Sequence, residues 1–357
     1  MKWFRKHKII TAFLLAILLL VGTVVGYVWS KLDLIDYDDG KPDDQLALDA
    51  TNPAGSEPTL SADGEESDQI IDISGLEMVE TIPEIPEEKI EQMDDVVNIL
   101  VLGTDERSTK LSNAARSDAM ILVSINKTDK TVKLVSLERG MGVPVLEGEY
   151  EGQYDWLTHI FRYGGADLVC KTVEHCFRVE VDHYVRVNFT TVRTVVDAIG
   201  GIDMELTESE AWALNLEGHK LYAGWNHLDG AAALSFARLR MIDSDWQRVE
   251  RQRKVILASV QALKDASLKE LNNLLDTTLP LIQTNMTKLD IADLMLYAPN
   301  FLKSTFDQMT IPKAGTYGGM TGMGGRGLFA VDFEVNSQIL KDFLYGDGTQ
   351  ETTAPAQ

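Results

Sequence analysis

A continuous uncharged run from Ile9 to Trp29, made largely of Leu, Ile, Val, Ala and Gly, decides where the rest of this chain can fold. About 20 apolar residues span the core of a bilayer as one helix. Lys2, Arg5, Lys6 and Lys8 precede the run. Basic residues in front of a first membrane helix stay on the cytoplasmic side, which places the C-terminal bulk outside. Cleaved signal peptides have shorter apolar regions, roughly 7–15 residues, closed by a small-x-small site. This run is longer and ends in Tyr27-Val28-Trp29, with aromatic side chains suited to a membrane interface. The expected organisation is a basic cytoplasmic tail at 1–8, an uncleaved transmembrane helix at 9–29 and an extracellular remainder.

The formal net charge is −22, and most of it falls in residues 33–95, where Lys41 and Lys89 are the only bases. That stretch is rich in Asp, Glu, Pro, Ser and Gly, with few aromatics and little sustained periodicity. Such a composition cannot bury enough apolar surface to offset the entropy of ordering, so 33–95 is read as an acidic disordered linker. Residues 96–345 have the length of one large domain, and 346–357 read as a flexible tail.

Within the domain, Val96–Gly103 is strand-like. Ala119–Asn126 and Thr131–Leu137, separated by Lys127-Thr128-Asp129-Lys130, read as a hairpin. Asp167–Phe177 reads as a helix, Tyr184–Phe189 as a strand, Thr190–Ile199 as a helix closed by Gly200-Gly201, and Ile202–Leu206 as a strand. Helices follow at Gly230–Ala237 and from about Asp245 to Leu263, and 270–303 is apolar at helical spacing. Thr310-Ile311 and Leu328–Val331 look like late strands, and Val335–Leu344 like a closing helix. Strands alternating with helices around a hairpin imply an α/β domain whose central mixed sheet is covered by helices on both faces. Gly315–Gly327 lacks the Gly-Lys-Ser/Thr ending of a phosphate loop and reads as a flexible surface loop without a chemical role. Cys170 and Cys176 would stand about 9 Å apart along a helix axis. A disulfide tolerates a Cα separation of only about 7 Å, so buried free thiols are expected.

Charged residues cluster where these elements end. Asp105-Glu106-Arg107, Arg116-Ser117-Asp118, Arg139, Arg238-Leu239-Arg240 and Asp245-Trp246-Gln247-Arg248 with Gln252 all border a strand end or a helix start. Several guanidinium groups with carboxylates nearby form a phosphate-handling arrangement, the arginines pairing with oxyanions and the carboxylates with a divalent cation. Asp105 and Asp118 flank neighbouring strand ends and are the expected ligands of Mg²⁺ or Mn²⁺. Arg248 and Gln252 share a helix face one turn apart. Asp245 is either a helix N-cap and ion-pair partner or a general base. Arg107 is either a site arginine or a loop charge, and is counted with the site. His159 is read as a hydrogen-bonded structural histidine rather than a proton shuttle, and Glu250, Arg253 and Lys254 as a solvated helix face.

Three stretches together resemble the LytR–CpsA–Psr domain. They are NILVLGTDER with ARSDAMILVSINKTDKTVKLVSLERG, then the stretch from Leu157 to Leu206, then HLDGAAALSFARLRMIDSDWQRVERQRKVI. The resemblance runs from about Val96 to Lys264 in the expected order, with one apolar segment in front. It implies a bacterial cell-membrane protein, single-pass, with a cytoplasmic N-terminus and an extracellular phosphotransferase domain. Such a domain moves a glycopolymer from a polyprenyl-pyrophosphate carrier onto peptidoglycan, and holds the polyprenyl chain in an apolar tunnel. The positions that match the family's charged motif are Asp105, Arg116, Asp118, Arg139, Arg238, Arg240, Asp245, Arg248 and Gln252. On this reading Arg116, Arg139, Asp245 and Arg248 are catalytic. Arg107, Arg116, Arg139, Arg238, Arg240, Arg248 and Gln252 bind pyrophosphate, and Asp105 and Asp118 hold the metal. The chain departs from the family where an Arg-Asp pair is usual and Arg139-Gly140 stands instead, which makes Glu138 a candidate for the missing carboxylate. The alternatives are a lipid-pyrophosphate hydrolase or a non-catalytic envelope regulator. An acidic chain without a basic helix-turn-helix gives no support to nucleic-acid binding.

The anchor reading has a direct check. N-terminal sequencing of the protein recovered from membranes is expected to return Met1, and a start near residue 30 would show that the run is a cleaved leader.

Overall fold

The computed structural model describes residues 26–38, 71, 73–80, 84–105, 115–239, 241–242, 245–301 and 306–346. The transmembrane reading of 9–29 falls outside these residues except for its last four. Among the described residues no helix is long and apolar enough to cross a membrane. A helix, α1, covers residues 26–32. It is followed by β1 (Asp36–Tyr37), β2 (Val96–Thr104), β3 (Ser117–Asn126), β4 (Thr131–Leu137), β5 (Gly142–Pro144) and β6 (Tyr154–Trp156). Then come α2 (Leu157–Phe177), β7 (His183–Asn188), α3 (Phe189–Ala198), β8 (Ile202–Leu206), α4 (Glu208–Leu216), β9 (Gly224–Leu228), α5 (Gly230–Arg238) and α6 (Asp245–Asp265). The chain closes through α7 (Leu268–Thr278), β10 (Gln283–Thr284), α8 (Lys288–Phe301), β11 (Phe306–Ile311), β12 (Tyr317–Thr321), β13 (Gly327–Val331) and α9 (Phe333–Tyr345).

Seven strands form one sheet in the order β1-β10-β7-β2-β3-β4-β11. The β3–β4 hairpin pairs Asn126 with Thr131, as its sequence predicts. β2 runs parallel to β7 and antiparallel to β3, and β4 runs parallel to β11, so β2, β4, β7 and β11 all end at the same edge. Side-chain alternation gives the sheet two apolar faces. Leu100, Leu102, Met120, Leu122, Val135 and Leu137 pack with Ile160, Phe161, Val169 and Phe177 of α2 and Leu340 of α9. On the other face Ile121, Val132 and Leu134 meet Ile256 and Leu257 of α6. Val255, one residue earlier on α6, joins a second cluster built by α3, α4, α5, β8 and β9. The mixed sheet is thus covered on both sides, and α6 mediates between it and the second lobe.

Several boundaries differ from the sequence expectation for identifiable reasons. α2 begins at Leu157, ten residues before the expected start, because Gly164 and Gly165 leave helical geometry and interrupt the apolar spacing there. Gly165 has φ 65°, a conformation that favours glycine. The apolar stretch 270–303 is two helices, α7 and α8, parted by a 3₁₀ turn containing Pro280 and by β10. α4 carries a reciprocal cap between Thr207 and Glu210, a signal present in the sequence before Ala211. Cys170 and Cys176 are both free thiols on α2, and burial pushes both well above the ordinary thiol range.

Two larger corrections concern residues read as unstructured. The glycine-rich stretch is not a flexible surface loop. It forms the β12–β13 hairpin, with Tyr317 opposite Val331 and Gly319 opposite Phe329. Nor are all of residues 33–95 disordered linker. Residues 33–38 continue from α1 into β1, which pairs with β10. Tyr27, Lys31, Asp33 and Asp38 bond Asn272, Asp276, Lys288 and Tyr184, respectively. Further on, the Val79 N–H donates to Gly319 O and the Gly319 N–H to Glu77 O, each at 2.8 Å. Ile71, Ile73 and Leu76 pack onto the main core. The scattered isoleucines supply the apolar contacts, and glycines of the hairpin leave them room: a Cβ on Gly327 would stand 2.9 Å from Ile73 Cδ1. Residues 39–70 and 347–357 lie outside the described residues.

Gly140 belongs to the same docking surface, since a Cβ there would fall on Ile71 Cδ1. Gly140→Ala is expected to loosen the docked segment and raise hydrogen exchange at the Val79 and Gly319 amides. Gly75→Ala, whose added Cβ meets nothing within 4 Å, should leave both protected.

Candidate active site

Register places two aspartate–arginine pairs at the shared strand edge. β3 and β4 pair Met120 with Leu137, and two residues further along each strand stand Asp118 and Arg139. Arg139 Nη1 donates to Asp118 Oδ1 at 3.3 Å, with 9% and 17% of the respective side chains exposed. Between β2 and β3 the register shifts, pairing Gly103 with Ala119 but Thr104 with Ser117, so Asp118 is the extra residue of a bulge. Bulges re-aim side chains at strand ends. Beyond it, Asp105 stands opposite Arg116. Its Oδ1 accepts the Arg116 backbone N–H at 2.9 Å and its Oδ2 the Arg116 Nε–H at 3.1 Å.

α6 adds a third arginine from the helical layer. Arg248 is 1% exposed, and its Nη2 donates to the backbone O of Asp118 at 3.5 Å. The start of α6 is fixed from outside the sheet. Trp246 stacks on Tyr317 at 5.6 Å between ring centroids and lies 6.1 Å from Phe329, both on the glycine-rich hairpin. Phe329 N–H in turn donates to Gly140 O, holding the turn that carries Arg139. The hairpin therefore positions Arg139 and Arg248 together, a role the sequence reading did not give it. Glu138 is fully buried. Burial first, and then the Glu138 charge, push the Tyr317 phenol up.

The other expected residues sit as follows. Arg238 ends α5 and stacks its guanidinium 4.4 Å from the Phe189 ring centroid. Phe189 follows Asn188, which pairs with Thr104, so Arg238 stands at the same edge but is not brought into contact with the two ion pairs. Gln252 is half-buried one turn beyond Arg248. Arg107, Arg240 and the side chain of Asp245 lie outside the described residues. His159 takes the structural place expected of it. Its Nδ1 is 2.9 Å from Asp155 Oδ2, which also accepts from Tyr163 Oη at 2.6 Å. Burial pushes the Asp155 carboxyl up, but the hydrogen bonds from His159, Tyr163 and the Trp156 backbone outweigh it and hold the group below its ordinary value.

Arg253, read as part of a solvated face, turns instead to the sheet, and Arg251, two residues earlier, is buried. Arg253 donates to Ser136 Oγ at 3.1 Å, to Met309 O at 2.9 Å and to Thr310 Oγ1 at 2.5 Å, tying α6 to β4 and β11. Arg251 is 2% exposed, bonds Leu239 O at 2.5 Å and reaches Glu210 Oε1 at 3.8 Å. It holds Leu239, just past α5, and α4 to α6. Glu250 and Lys254 do form an exposed ion pair.

The donor set at the edge suits a hard divalent cation. Asp105 and Asp118 offer carboxylate oxygens, and the Ser117 hydroxyl between them in sequence is buried without a hydrogen-bond partner among the described residues. No group of three or more His, Cys, Asp or Glu occurs among the described residues. Two carboxylates leave the remaining positions of an octahedral ion to water and substrate oxygens, as Mg²⁺ prefers. Arg116, Arg139 and Arg248 set three guanidinium groups beside those two carboxylates. Ligands of open α/β sheets characteristically lie outside the carboxyl ends of the strands.

These features define an α/β domain with an arginine-rich site at the carboxyl ends of a mixed sheet. The chain belongs to the LytR_cpsA_psr family, whose model matches residues 68–337. It is 33% identical over 216 residues to the polyisoprenyl-teichoic acid–peptidoglycan teichoic acid transferase TagU of Enterococcus faecalis, covering 59% of this chain and 67% of that one. A structure of TagT bound to LI-WTA superposes with a TM-score of 0.58 at 28% identity, covering 72% of this chain and 93% of that chain. A structure of YwtF (TagT) with bound octaprenyl pyrophosphate lipid shares the fold, with a TM-score of 0.53 at 24% identity over 72% and 94% of the two chains.

Arg251→Ala should destabilise the protein by about 3–5 kcal/mol, because it leaves the buried Glu210 carboxylate and Leu239 carbonyl short of a donor. Lys254→Ala, in an exposed pair, should stay within about 0.5 kcal/mol. Urea unfolding of the two variants makes the comparison.

Proposed function

We propose that this chain is a membrane-anchored, extracytoplasmic phosphotransferase that moves a glycopolymer from a polyprenyl-pyrophosphate carrier to a sugar hydroxyl of peptidoglycan. The observation that carries the reading is the gathering of Arg116, Arg139 and Arg248 with Asp105 and Asp118 at one strand edge, in a family whose TagU and TagT relatives are teichoic acid transferases. The acceptor hydroxyl oxygen attacks the phosphorus that bears the polymer. The P–O bond to the distal phosphate breaks, and polyprenyl phosphate leaves with the bonding electrons. The hydroxyl proton passes to a general base, a role we assign to Asp245.

Negative charge grows on the transferred phosphoryl group and on the leaving phosphate, so fixed donors aimed at both lower the barrier. Arg116 and Arg139 enter from the strand ends and Arg248 from the helix, which surrounds a bound pyrophosphate with donors from two layers. Arg238, held over Phe189, extends the same positive edge. When bound, Mg²⁺ or Mn²⁺ on Asp105 and Asp118 supplies further positive charge to the pyrophosphate oxygens. Asp105 pairs with Arg116 and Asp118 with Arg139, so an ion held by the two carboxylates would leave those guanidinium groups free to turn toward the anion.

One observation favours a second reading, hydrolysis of the same lipid-linked pyrophosphate by water. The family's usual carboxylate after Arg139 is absent, and Ile71 occupies the space beside Gly140. Incubating the full-length protein in liposomes with labelled lipid-linked polymer and peptidoglycan separates the two. Covalent attachment to peptidoglycan supports transfer, free phosphopolymer supports hydrolysis, and retention of intact substrate argues against both. In the same assay Arg116→Lys keeps the charge but loses the planar fork, and Asp118→Asn removes a metal ligand. Each should lower turnover by about 10²-fold or more while the far-ultraviolet dichroism stays unchanged. Turnover and metal affinity that survive Asp118→Asn would remove that residue from the site.

A further inference from the structure

The face of α8 turned away from the domain carries large apolar side chains. Leu289 and Leu296, seven residues apart and therefore on one stripe, are 70% and 76% exposed. Met295 stands seven residues after Lys288 on the adjoining stripe and is 43% exposed. Lys288 Nζ lies 5.4 Å from the centroid of the Trp29 ring and pairs with Asp33. Trp29 and Leu34 are themselves exposed, at 41% and 39%. The result is an apolar surface of Trp29, Leu34, Leu289, Met295 and Leu296 contributed by two distant parts of the chain.

We infer that this surface seats the domain on the bilayer, its apolar side chains entering the interfacial layer of the membrane. The inference rests on the reading of Ile9–Trp29 as an anchor. That run does not lead into a free tether. Its last residues are the first turn of α1, and α1 is clamped to α7 through Tyr27 with Asn272 and Lys31 with Asp276, and to α8 through Asp33 with Lys288. Where the apolar run ends, the exposed stripe of α8 begins, so a bilayer that holds the first meets the second.

The charges bordering the surface select apolar insertion over attraction to anionic lipid. Lys288 is matched by Asp33, Lys31 by Asp276, and Lys127 by Asp293 at 2.5 Å. An interfacial helix buries its apolar face about 5–10 Å into the headgroup and acyl boundary. Lys127 follows the end of β3 that is remote from Asp118, which places Asp293, midway along α8, near that end of the sheet.

The test uses the full-length protein in proteoliposomes of phosphatidylcholine alone, with a nitroxide on Leu296→Cys and, as a control, on Glu149→Cys in the exposed β5–β6 turn. The native thiols are shielded, Cys176 fully and Cys170 largely, and both are shifted well above the labelling pH. Flotation reports the anchor, and collision with oxygen against a water-soluble nickel chelate reports the seat. The Leu296 label is expected to favour oxygen and the Glu149 label the chelate, with no change at high salt. A floating protein whose Leu296 label behaves like the control overturns the seat and leaves the anchor standing. A label shielded from both reagents and broadened by a second label means that another copy covers the surface, which also overturns it. Failure to float overturns the anchor and the seat together.

Discussion

The site depends on the register of three antiparallel strands and on one shift within it. Along β3 and β4 the pairing that sets Met120 against Leu137 sets Asp118 against Arg139. Across β2 and β3 the bulge at Asp118 moves the next pair by one, and that displacement puts Asp105 against Arg116. Without the shift, Thr104 would stand opposite Asp118 and Asp105 opposite Ser117, and Asp105 would not pair with Arg116. A one-residue change of register turns every side chain of a strand to the other face, so the apolar alternation that builds the core also fixes the charges at its rim.

Arginines of α6 carry this arrangement outward. Arg253 joins α6 to β4 and β11, and Arg251 joins it to the α5 end and to α4. Trp246, held by Tyr317 and Phe329, sets the start of the same helix. Arg248 sits between these fixtures and has little freedom to be anywhere but beside Asp118. Desolvating a guanidinium is expensive unless its donors are satisfied, so each such residue accepts only one packing of the elements it joins. The helix that delivers a site arginine is therefore itself located by arginines.

How much of this was legible in the sequence follows from which interactions are local. The hairpin was, because the polar turn Lys127–Lys130 fixes the pairing, and Asp118 opposite Arg139 is then a matter of counting. The bulge was not, since nothing in Arg116-Ser117-Asp118 marks which residue is extra. Arg253 belongs to a run of alternating charges that reads as a wet helix face, and the hydroxyls and carbonyl it reaches on β4 and β11 are distant in sequence. Arg186 was missed for the same reason. It is 2% exposed on β7, its guanidinium 4.7 Å from the Phe161 ring centroid, and a single arginine in an otherwise apolar strand was the one signal it left. Glycines 318, 319 and 327 read as flexibility because a sequence shows the missing side chains but not the Val79, Met78 and Ile73 side chains that use their space.

Asp38 and Ile71 are both held by the same domain, Asp38 through Tyr184 and Ile71 through the main core. The two described ends of the acidic stretch are therefore fixed to one body. On the seating inferred above, the tilt of the domain would be set by the few residues from Trp29 to Asp36, because a single residue inserted there would rotate α1 against α7 and α8 and break the contacts of Lys31 with Asp276 and of Asp33 with Lys288.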